Sequence, residues 1–289
     1  MAFIDILIAS VLVLIMFGIG ISLSFKDVTI VFAKPKALIV SLCCQMVLLP
    51  LIAFIICFLF HIPIYVKIGL VILASSPGGS TSGFIAYLFK GNVALSIILT
   101  TINSILTLFS IPLIVNFALT TFNGQNSQFH LPILETMKEI FILTAIPALM
   151  GTLVRNWNEK IAMVITKYAK PVLIILLGVV FMLKFLGGNG KGVLTQSEVL
   201  EILPFAFLLN VACFLMGFTL TKIFKLGFKN EITASVESAV HNTTMAFLIS
   251  GTLLHNEQFG KVSLVYAMFS FWTALLFCYI IRATNKELV

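Results

Sequence analysis

The sequence predicts an all-α integral membrane protein of nine transmembrane helices, built as inverted repeats, with two discontinuous helices crossing near the bilayer midplane. Three observations predict it. The first is composition: of 289 residues, 60% are hydrophobic and 10% charged, and the mean hydropathy is +1.13. Soluble domains run at about 45–50% apolar and about 25% charged. This chain has too few polar side chains to cover its outside, so lipid is its outer solvent. The second is a succession of apolar runs of the ~20 residues a span needs. The third is that two of those runs are broken by polar residues, half a chain apart.

The same composition excludes a cytosolic enzyme, a secreted disulfide scaffold, a disordered chain and a nucleic-acid reader. The +7 net charge forms no basic patch of the kind nucleic acid needs; its lysines and arginines are scattered between apolar runs. Cys43, Cys44, Cys57, Cys213 and Cys278 lie inside those runs without metal-ligand spacing and read as small packing residues. The N-terminal Met-Ala-Phe-Ile-Asp has no positive segment, and the run after it is long enough to span, so it reads as a helix and not as a removable signal.

In order, the expected spans are Phe3 to Phe25, Ala37 to Phe60, an interrupted Pro63 to Phe89, Asn92 to Leu119, Leu131 to Val154, Ala169 to Leu186, Val199 to Ile223, an interrupted Lys229 to Leu254, and Phe259 to Arg282. With the N-terminus outside, Lys26, Lys34, Lys36, Lys90, Arg155, Lys160, Lys167, Lys170, Lys222, Lys225, Lys229, Arg282 and Lys286 face the cytoplasm. Lys67, Lys138, Lys184, Lys191 and Lys261 face out. That division, 13 against 5 of the chain's 18 cationic residues, obeys the positive-inside rule. It implies a multi-pass protein of the plasma (inner) membrane with a cytoplasmic C-terminus.

The third span contains Ser75-Ser-Pro-Gly-Gly-Ser-Thr-Ser82. Pro77 removes a backbone donor, and Gly78 and Gly79 are weak helix formers. Opened backbone in a bilayer is tolerated where it is buried in protein or lines a watery cavity. A packing kink and a binding site both fit; the five hydroxyls around Pro-Gly-Gly favour the site. The eighth span contains Glu237-Ser-Ala-Val-His-Asn-Thr-Thr244. A carboxylate at the bilayer centre costs roughly 2.5–3.5 kcal/mol on insertion scales and usually marks an ion or proton path. His241 follows four residues later on the same helical face. A buried Glu–His pair that only holds helices together is the bland alternative.

Pro77 and His241 stand 164 positions apart. Gln45 precedes the first break, and Asn210 the second, as lone amides in apolar helices. Each break is followed by one more long helix. The third and eighth spans are five apart, which gives them opposite orientations: an inverted repeat. Inverted repeats with paired broken helices point to a secondary transporter with a midplane site. Half-helix N-termini there favour anionic groups; unwound carbonyls, hydroxyls, amides and one carboxylate favour Na⁺ or H⁺.

At these residues a family resemblance appears. Ser76-Pro-Gly-Gly-Ser-Thr-Ser82 with Tyr87-Leu-Phe-Lys-Gly-Asn-Val-Ala-Leu-Ser96, then Glu237-Ser-Ala-Val-His-Asn242, and Gln45 followed by Pro50, resemble the bile acid:sodium symporter family over essentially the whole chain. The chain is similar to its nine-helix members. The resemblance implies a panel domain (approximately 1–36 and 131–190) moving against a core domain (approximately 37–130 and 191–289). It implies one sodium site at Ser82, Ser96, Thr100 and Glu237, and a second at Gln45, Glu237 and the carbonyls of Ser238 and Val240.

Two departures stand out. Gly83 replaces the family's asparagine in the first site; Asn103, three residues after Thr100, either fills that gap or hydrogen-bonds between helices. His241 replaces the family's glutamine in the second, which opens proton coupling through His241 and Glu237 as an alternative to sodium. Substrate contacts are expected at Pro77, Gly78, Gly79, Ser80, Thr81, Asn210, Asn242 and Thr243. The implied substrate is a small or amphipathic organic anion, with Na⁺ (alternatively H⁺) as coupling ion and no other cofactor. The remaining partners are membrane lipid and no nucleic acid.

Four rival classes fit less well. A channel needs a continuous polar pore, and the polar residues cluster at two breaks. An arsenite-type exporter of related fold carries cysteine where Ser75 and Ser76 stand. A membrane enzyme would need a nucleophile or metal set beside Glu237 and His241. A receptor would need an output surface that such short loops do not supply.

Overall fold

The computed structural model describes residues 3–24, 29, 35–79, 81–123, 131–166, 168, 172, 175 and 194–284. Every regular element among them is helical. The order is α1 (Phe3–Ile21), α2 (Pro35–Leu59), α3 (Ile64–Ser75), α4 (Ser82–Leu88), α5 (Val93–Asn123) and α6 (Ile133–Trp157). Then come α7 (Gln196–Ile223), α8 (Phe228–Ala239), α9 (Thr243–Leu253) and α10 (Glu257–Thr284). Among the described residues, five helices (α2, α5, α6, α7 and α10) are long and apolar enough to cross a membrane. The third expected span is split into α3 and α4, and the eighth into α8 and α9. The sixth, Ala169 to Leu186, lies outside the described residues apart from isolated positions, as do Ser80, Lys26, Lys34, Lys167, Lys170, Lys184, Lys191 and Lys286.

Local sequence explains where the helices bend. Two of them contain a π-helical turn just ahead of a proline: Cys44–Leu48 before Pro50 in α2, and Phe141–Ala145 before Pro147 in α6. Proline has no N–H to give the carbonyl four residues back, and its ring crowds that carbonyl. The ladder loosens by one residue there, which is a π-turn. In α2 the extra residue turns Gln45 inward, where it is buried. The start of α7 is fixed by a capping box: Thr195 accepts from the Glu198 N–H while the Glu198 side chain accepts from the Thr195 N–H.

The two short helices that lead into the breaks form the centre. In α3 every residue from Ile68 to Ser75 is buried, and in α8 every residue from Ile232 to Ala239. The surrounding helices turn large apolar side chains outward, for example Phe58 and Leu59 on α2 and Phe109, Leu113 and Phe117 on α5, which is the face lipid requires. Small residues bring backbones together, as packing between membrane helices favours. A Cβ on Gly217 of α7 would stand 2.9 Å from Ser235 Cα of α8. A Cβ on Gly20 of α1 would overlap the Ala148 carbonyl of α6, and one on Gly151 would overlap the Phe17 carbonyl. Thr152 joins the same pair of helices, its hydroxyl reaching the Gly20 carbonyl at 3.2 Å.

The Lys90-Gly91-Asn92 turn ties α4 and α5 to the first turn of α8. Asn92 donates through Nδ2 to Asn230 Oδ1 at 2.9 Å, its N–H reaches Thr233 Oγ1 at 2.8 Å, and its Oδ1 caps α5 through the Leu95 N–H at 3.1 Å. At the opposite end of α8's neighbours, Lys261 is not a solvated loop charge. It is 4% exposed and paired with Glu198 at 2.5 Å, joining α10 to α7.

The α1–α6 contact gives a direct test. Gly151→Val forces a branched side chain into backbone and should cost about 1–3 kcal/mol, the usual range for overpacking. Gly251→Ala meets nothing closer than 3.9 Å and should leave stability unchanged. Thermal unfolding of the two purified variants in detergent checks the contrast.

Candidate functional site at the helix crossover

The two breaks meet. Residues 76–79 leave the end of α3 as non-helical backbone, and residues 240–242 leave the end of α8 likewise. They pair as a short antiparallel bridge between Gly78 and His241. The Gly79 N–H donates to the Val240 carbonyl at 2.6 Å, and the Asn242 N–H to the Pro77 carbonyl at 2.8 Å. The backbone groups freed by each break are thus partly satisfied by the other, which answers the demand that opened backbone be buried in protein. The glycines are needed for approach. A Cβ on Gly78 would run into the Glu237 carboxylate, and one on Gly79 would lie 2.9 Å from the His241 carbonyl oxygen.

Beneath the bridge sits Glu237, 1% exposed. Its carboxylate accepts hydrogen bonds from the Ser82 and Ser96 hydroxyls on Oε1 and from the Thr100 hydroxyl on Oε2 at 3.0 Å. One donor opens α4 and two lie on the first turns of α5. The four residues expected from the resemblance to share a site therefore do lie together. The Ser82 hydroxyl also stands 2.7 Å from the Gly79 carbonyl, so its single proton has two acceptors to choose between. Gly83 faces this cluster: a Cβ there would lie 3.4 Å from Ser96 Oγ.

Asn103 does not fill the space at Gly83. Its Nδ2 donates to Gln45 Oε1 at 2.5 Å. The helix and the one-turn spacing from Thr100 were read correctly, but the partner differs, because the π-turn in α2 swings Gln45 across to meet it. Gln45 Nε2 and Asn103 Oδ1 remain buried without a partner. Next to Gln45, Cys44 Sγ lies 3.6 Å from Ser238 Oγ, so this pair adjoins the residue after Glu237.

The second crossover hangs on Asn210 and Tyr266. The Asn210 amide donates to the Ala239 carbonyl at 3.1 Å and to the Tyr266 hydroxyl at 2.8 Å. The Tyr266 hydroxyl donates its one proton to the Ala239 carbonyl at 2.5 Å. Its oxygen therefore accepts from His241 Nδ1, 3.1 Å away. The proton of a neutral His241 imidazole thus sits on Nδ1, and Nε2 presents a lone pair, buried and without a partner. Asn242 caps α9, its Oδ1 accepting from the Met245 N–H at 3.0 Å, while its Nδ2 is unpartnered. Thr81 and Thr243 flank the bridge, half-buried. Asn210 supports the crossover from below, leaving Oδ1 unpartnered. Tyr266 was not among the expected site residues. Its signal was a lone phenol in the middle of an apolar helix. Among the described residues no three His, Cys, Asp or Glu side chains gather as a transition metal would need.

Tyr266→Phe removes the acceptor for His241 and one partner of Asn210. It should destabilise by about 1–3 kcal/mol, the cost of a buried polar group left without a partner. A double-mutant cycle of Tyr266→Phe with His241→Ala, read by thermal unfolding, should show coupling of about 0.5–3 kcal/mol; strict additivity would mean the His241–Tyr266 bond is not made.

A family model described as Sodium Bile acid symporter family matches residues 9–195. The chain is 28% identical over 266 residues to an uncharacterized sodium-dependent transporter of Bacillus subtilis, covering 90% of this chain and 77% of the relative. It is 25% identical over 285 residues to the hepatic sodium/bile acid cotransporter of Rattus norvegicus, covering 98% and 78%. It is 24% identical over 252 residues to a probable chloroplastic sodium/metabolite cotransporter of Arabidopsis thaliana, covering 86% of this chain and 59% of that relative. The matched region takes in Gln45, the Pro-Gly-Gly break and all three hydroxyls that bind Glu237, and the chain belongs to the Sodium Bile acid symporter family of sodium-dependent membrane transporters.

Proposed function

We propose that this chain is a secondary active transporter that imports a small or amphipathic organic anion by alternating access, in symport with Na⁺. One observation carries the reading: a buried carboxylate, Glu237, held by three hydroxyls from two other helices at the crossing of two broken helices. A cation at this spot takes the carboxylate and the hydroxyl oxygens of Ser82, Ser96 and Thr100. The Ser82 proton turns to the Gly79 carbonyl, which already stands 2.7 Å away, and leaves its oxygen free to ligate. Carboxylate and hydroxyl oxygens suit Na⁺, with no soft ligand among them.

The anion sits on the other side of the bridge, against Pro77, Gly78, Gly79 and Thr81 from one break and Asn242 and Thr243 from the other; Ser80, expected from the sequence as a further contact, lies outside the described residues. The unpartnered Asn242 Nδ2 and the N-terminus of α9 offer donors and a positive dipole end. The chain's two arginines, Arg155 and Arg282, lie at the last turns of α6 and α10, so no guanidinium clamps the anion at the crossover. Asn210 takes a supporting part, holding the second crossover through Ala239 and Tyr266.

Several features support nine spans arranged as an inverted repeat. The bridge is antiparallel. The helix before each break carries an amide that meets a polar side chain on the helix after it: Gln45 with Asn103, 58 residues on, and Asn210 with Tyr266, 56 residues on. The close α1–α6 packing fits a panel of approximately 1–36 and 131–190, and the α2–α5 and α7–α10 assembly fits a core of approximately 37–130 and 191–289. The distribution of lysine and arginine favours the plasma membrane with the N-terminus outside.

The test is a thermal-shift screen of purified protein against organic anions, in Na⁺ and in K⁺, followed by uptake into proteoliposomes. Sodium-dependent stabilisation by an anion, and uptake driven by a Na⁺ gradient with counterflow, are expected. Glu237→Gln should abolish the Na⁺ effect. Ser82→Ala should weaken it by about tenfold or more, matching the roughly 1.5–3 kcal/mol of a hydrogen bond to a charged group. Uptake driven by a proton gradient and indifferent to Na⁺ would replace sodium by protons. Flux without counterflow would replace the carrier by a channel.

A further inference from the structure

We infer that the C-terminal ends of α4 and α7 form one binding platform for the headgroup of an anionic phospholipid. The platform lies away from the crossover, and it does not depend on which ion drives transport.

Among the described residues, three non-glycine residues have a positive φ: Lys90 at 56°, Lys225 at 54° and His255 at 50°. The two lysines end their helices in the same way. The Gly91 N–H reaches back to the Ala86 carbonyl at 2.7 Å and the Lys90 N–H to the Tyr87 carbonyl at 3.1 Å. At α7 the Leu226 N–H reaches the Thr221 carbonyl at 3.1 Å and the Lys225 N–H the Lys222 carbonyl at 3.0 Å. The left-handed position of such an ending is ordinarily glycine. A glycine follows in each turn, Gly91 one place later and Gly227 two places later, yet the strained position holds lysine. Left-handed backbone is unfavourable for a residue with a Cβ, so the side chain has a use. The helix dipole does not supply that use at α7, where Lys222 already stands in the last turn.

The fold joins the two turns. Asn92 Nδ2 donates to Asn230 Oδ1 at 2.9 Å, and Asn230 Nδ2 donates to the Leu226 carbonyl at 2.7 Å. The Asn92 N–H also reaches the Lys229 carbonyl at 3.2 Å. A polar chain thus runs from the turn at Lys90, past Lys229, to the residue after Lys225. Lys36, at the start of α2, closes the edge, its ammonium 5.8 Å from the centre of the Phe224 ring. Lys36, Lys90, Lys222, Lys225 and Lys229 are all exposed. Residues 85–93 and 218–232 hold four of these lysines and one acid, Glu231, which is half-buried. Exposed Tyr87, Leu88, Ile223 and Phe224 stand among them. Lysines on a hydrogen-bonded frame beside outward apolar side chains match a phosphate carried on hydrocarbon tails. A free phosphate would leave the apolar side chains unused, so the occupant is the lipid. The same frame carries the α4–α5 connection and α8, the elements that hold Ser82, Ser96 and Glu237, so a headgroup here braces the core from one end.

The experiment follows the thermal midpoint of the purified full-length protein in neutral detergent as dioleoylphosphatidylglycerol or dioleoylphosphatidylcholine is added to the micelles. Phosphatidylglycerol should raise the midpoint to a plateau, and phosphatidylcholine should not. The double variant Lys90→Asn, Lys225→Asn removes both charges and keeps both turns, because asparagine accepts left-handed backbone. Its midpoint without lipid should equal or exceed that of wild type, and its half-saturating phosphatidylglycerol should rise about tenfold or more, the order expected for two lysines at a lipid surface. Lys160→Gln removes an exposed lysine beyond the end of α6, expected at the same membrane face but off the platform, and should respond as wild type does. A double variant with the wild-type half-point overturns the inference. So does an equal loss in Lys160→Gln, which would mean diffuse charge without a site. An equal rise with phosphatidylcholine, or with inorganic phosphate at the same concentration, overturns it as well, as does a wild type indifferent to phosphatidylglycerol.

Discussion

The core of this protein is organised around a carboxylate buried without a cationic partner. Glu237 is enclosed by helices, and the ion pairs among the described residues, Arg155–Glu159 and Lys261–Glu198, lie elsewhere. Taking an ionised carboxylate out of water costs several kcal/mol even after relaxation. Hydroxyl donors offset part of that cost. Three hydroxyls converge on two oxygens only if they come from several directions, which one straight helix cannot supply. The break after α3 is the solution. It lets Ser82 open a new helix at the carboxylate, and Gly78 clears the backbone path to it. Pro-Gly-Gly is thus less a flexible joint than a space-saving one.

The bridge between the two breaks makes one body of four half-helices. With the Gly79–Val240 and Asn242–Pro77 bonds in place, neither crossover shifts without the other. The second is anchored from behind by Asn210 and Tyr266, which both donate to the Ala239 carbonyl. The Asn92 turn adds a third tie, between the α4–α5 connection and α8. The α1–α6 pair, joined through Gly20 and Gly151, is held by close backbone packing of its own.

Much of this was legible in the sequence, for physical reasons. Apolar runs of spanning length give helix positions almost directly, because a bilayer admits few alternatives; α2, α5, α6, α7 and α10 fall within a few residues of the expected spans. The two breaks were legible because Pro77 and the Glu237–Thr244 stretch violate that rule openly. The Ser82–Ser96–Thr100–Glu237 cluster was legible through family resemblance, since nothing in spacing alone brings residue 82 to residue 237. Two features were not. Tyr266 belongs to neither break, and only the fold shows that this mid-helix phenol sits fully buried against Asn210, Ala239 and His241. Asn103 makes an interhelical hydrogen bond, one of its two expected roles, but its partner Gln45 was not legible, because that residue sits in a π-turn and sequence periodicity assumes regular α geometry.

On the symport reading, the short distance along the chain between the two sites is what couples ion to anion. Glu237 borders the cation's side, while Asn242 and the start of α9 border the anion's. The capping residue of the half-helix therefore stands only five positions after the carboxylate. An anion arriving alone would approach a buried negative charge that the three hydroxyls only partly offset; at close range in a low-dielectric interior that repulsion amounts to several kcal/mol. A cation bound at Glu237 first removes the repulsion and leaves the α9 dipole to act. The order follows from charge alone: the ion makes the anion site usable. A core that closes readily when neutral and reluctantly when charged then carries both or neither. The backbone bridge between Gly78 and His241 transmits a change at one site to the other, because both are built on the same few bonded residues.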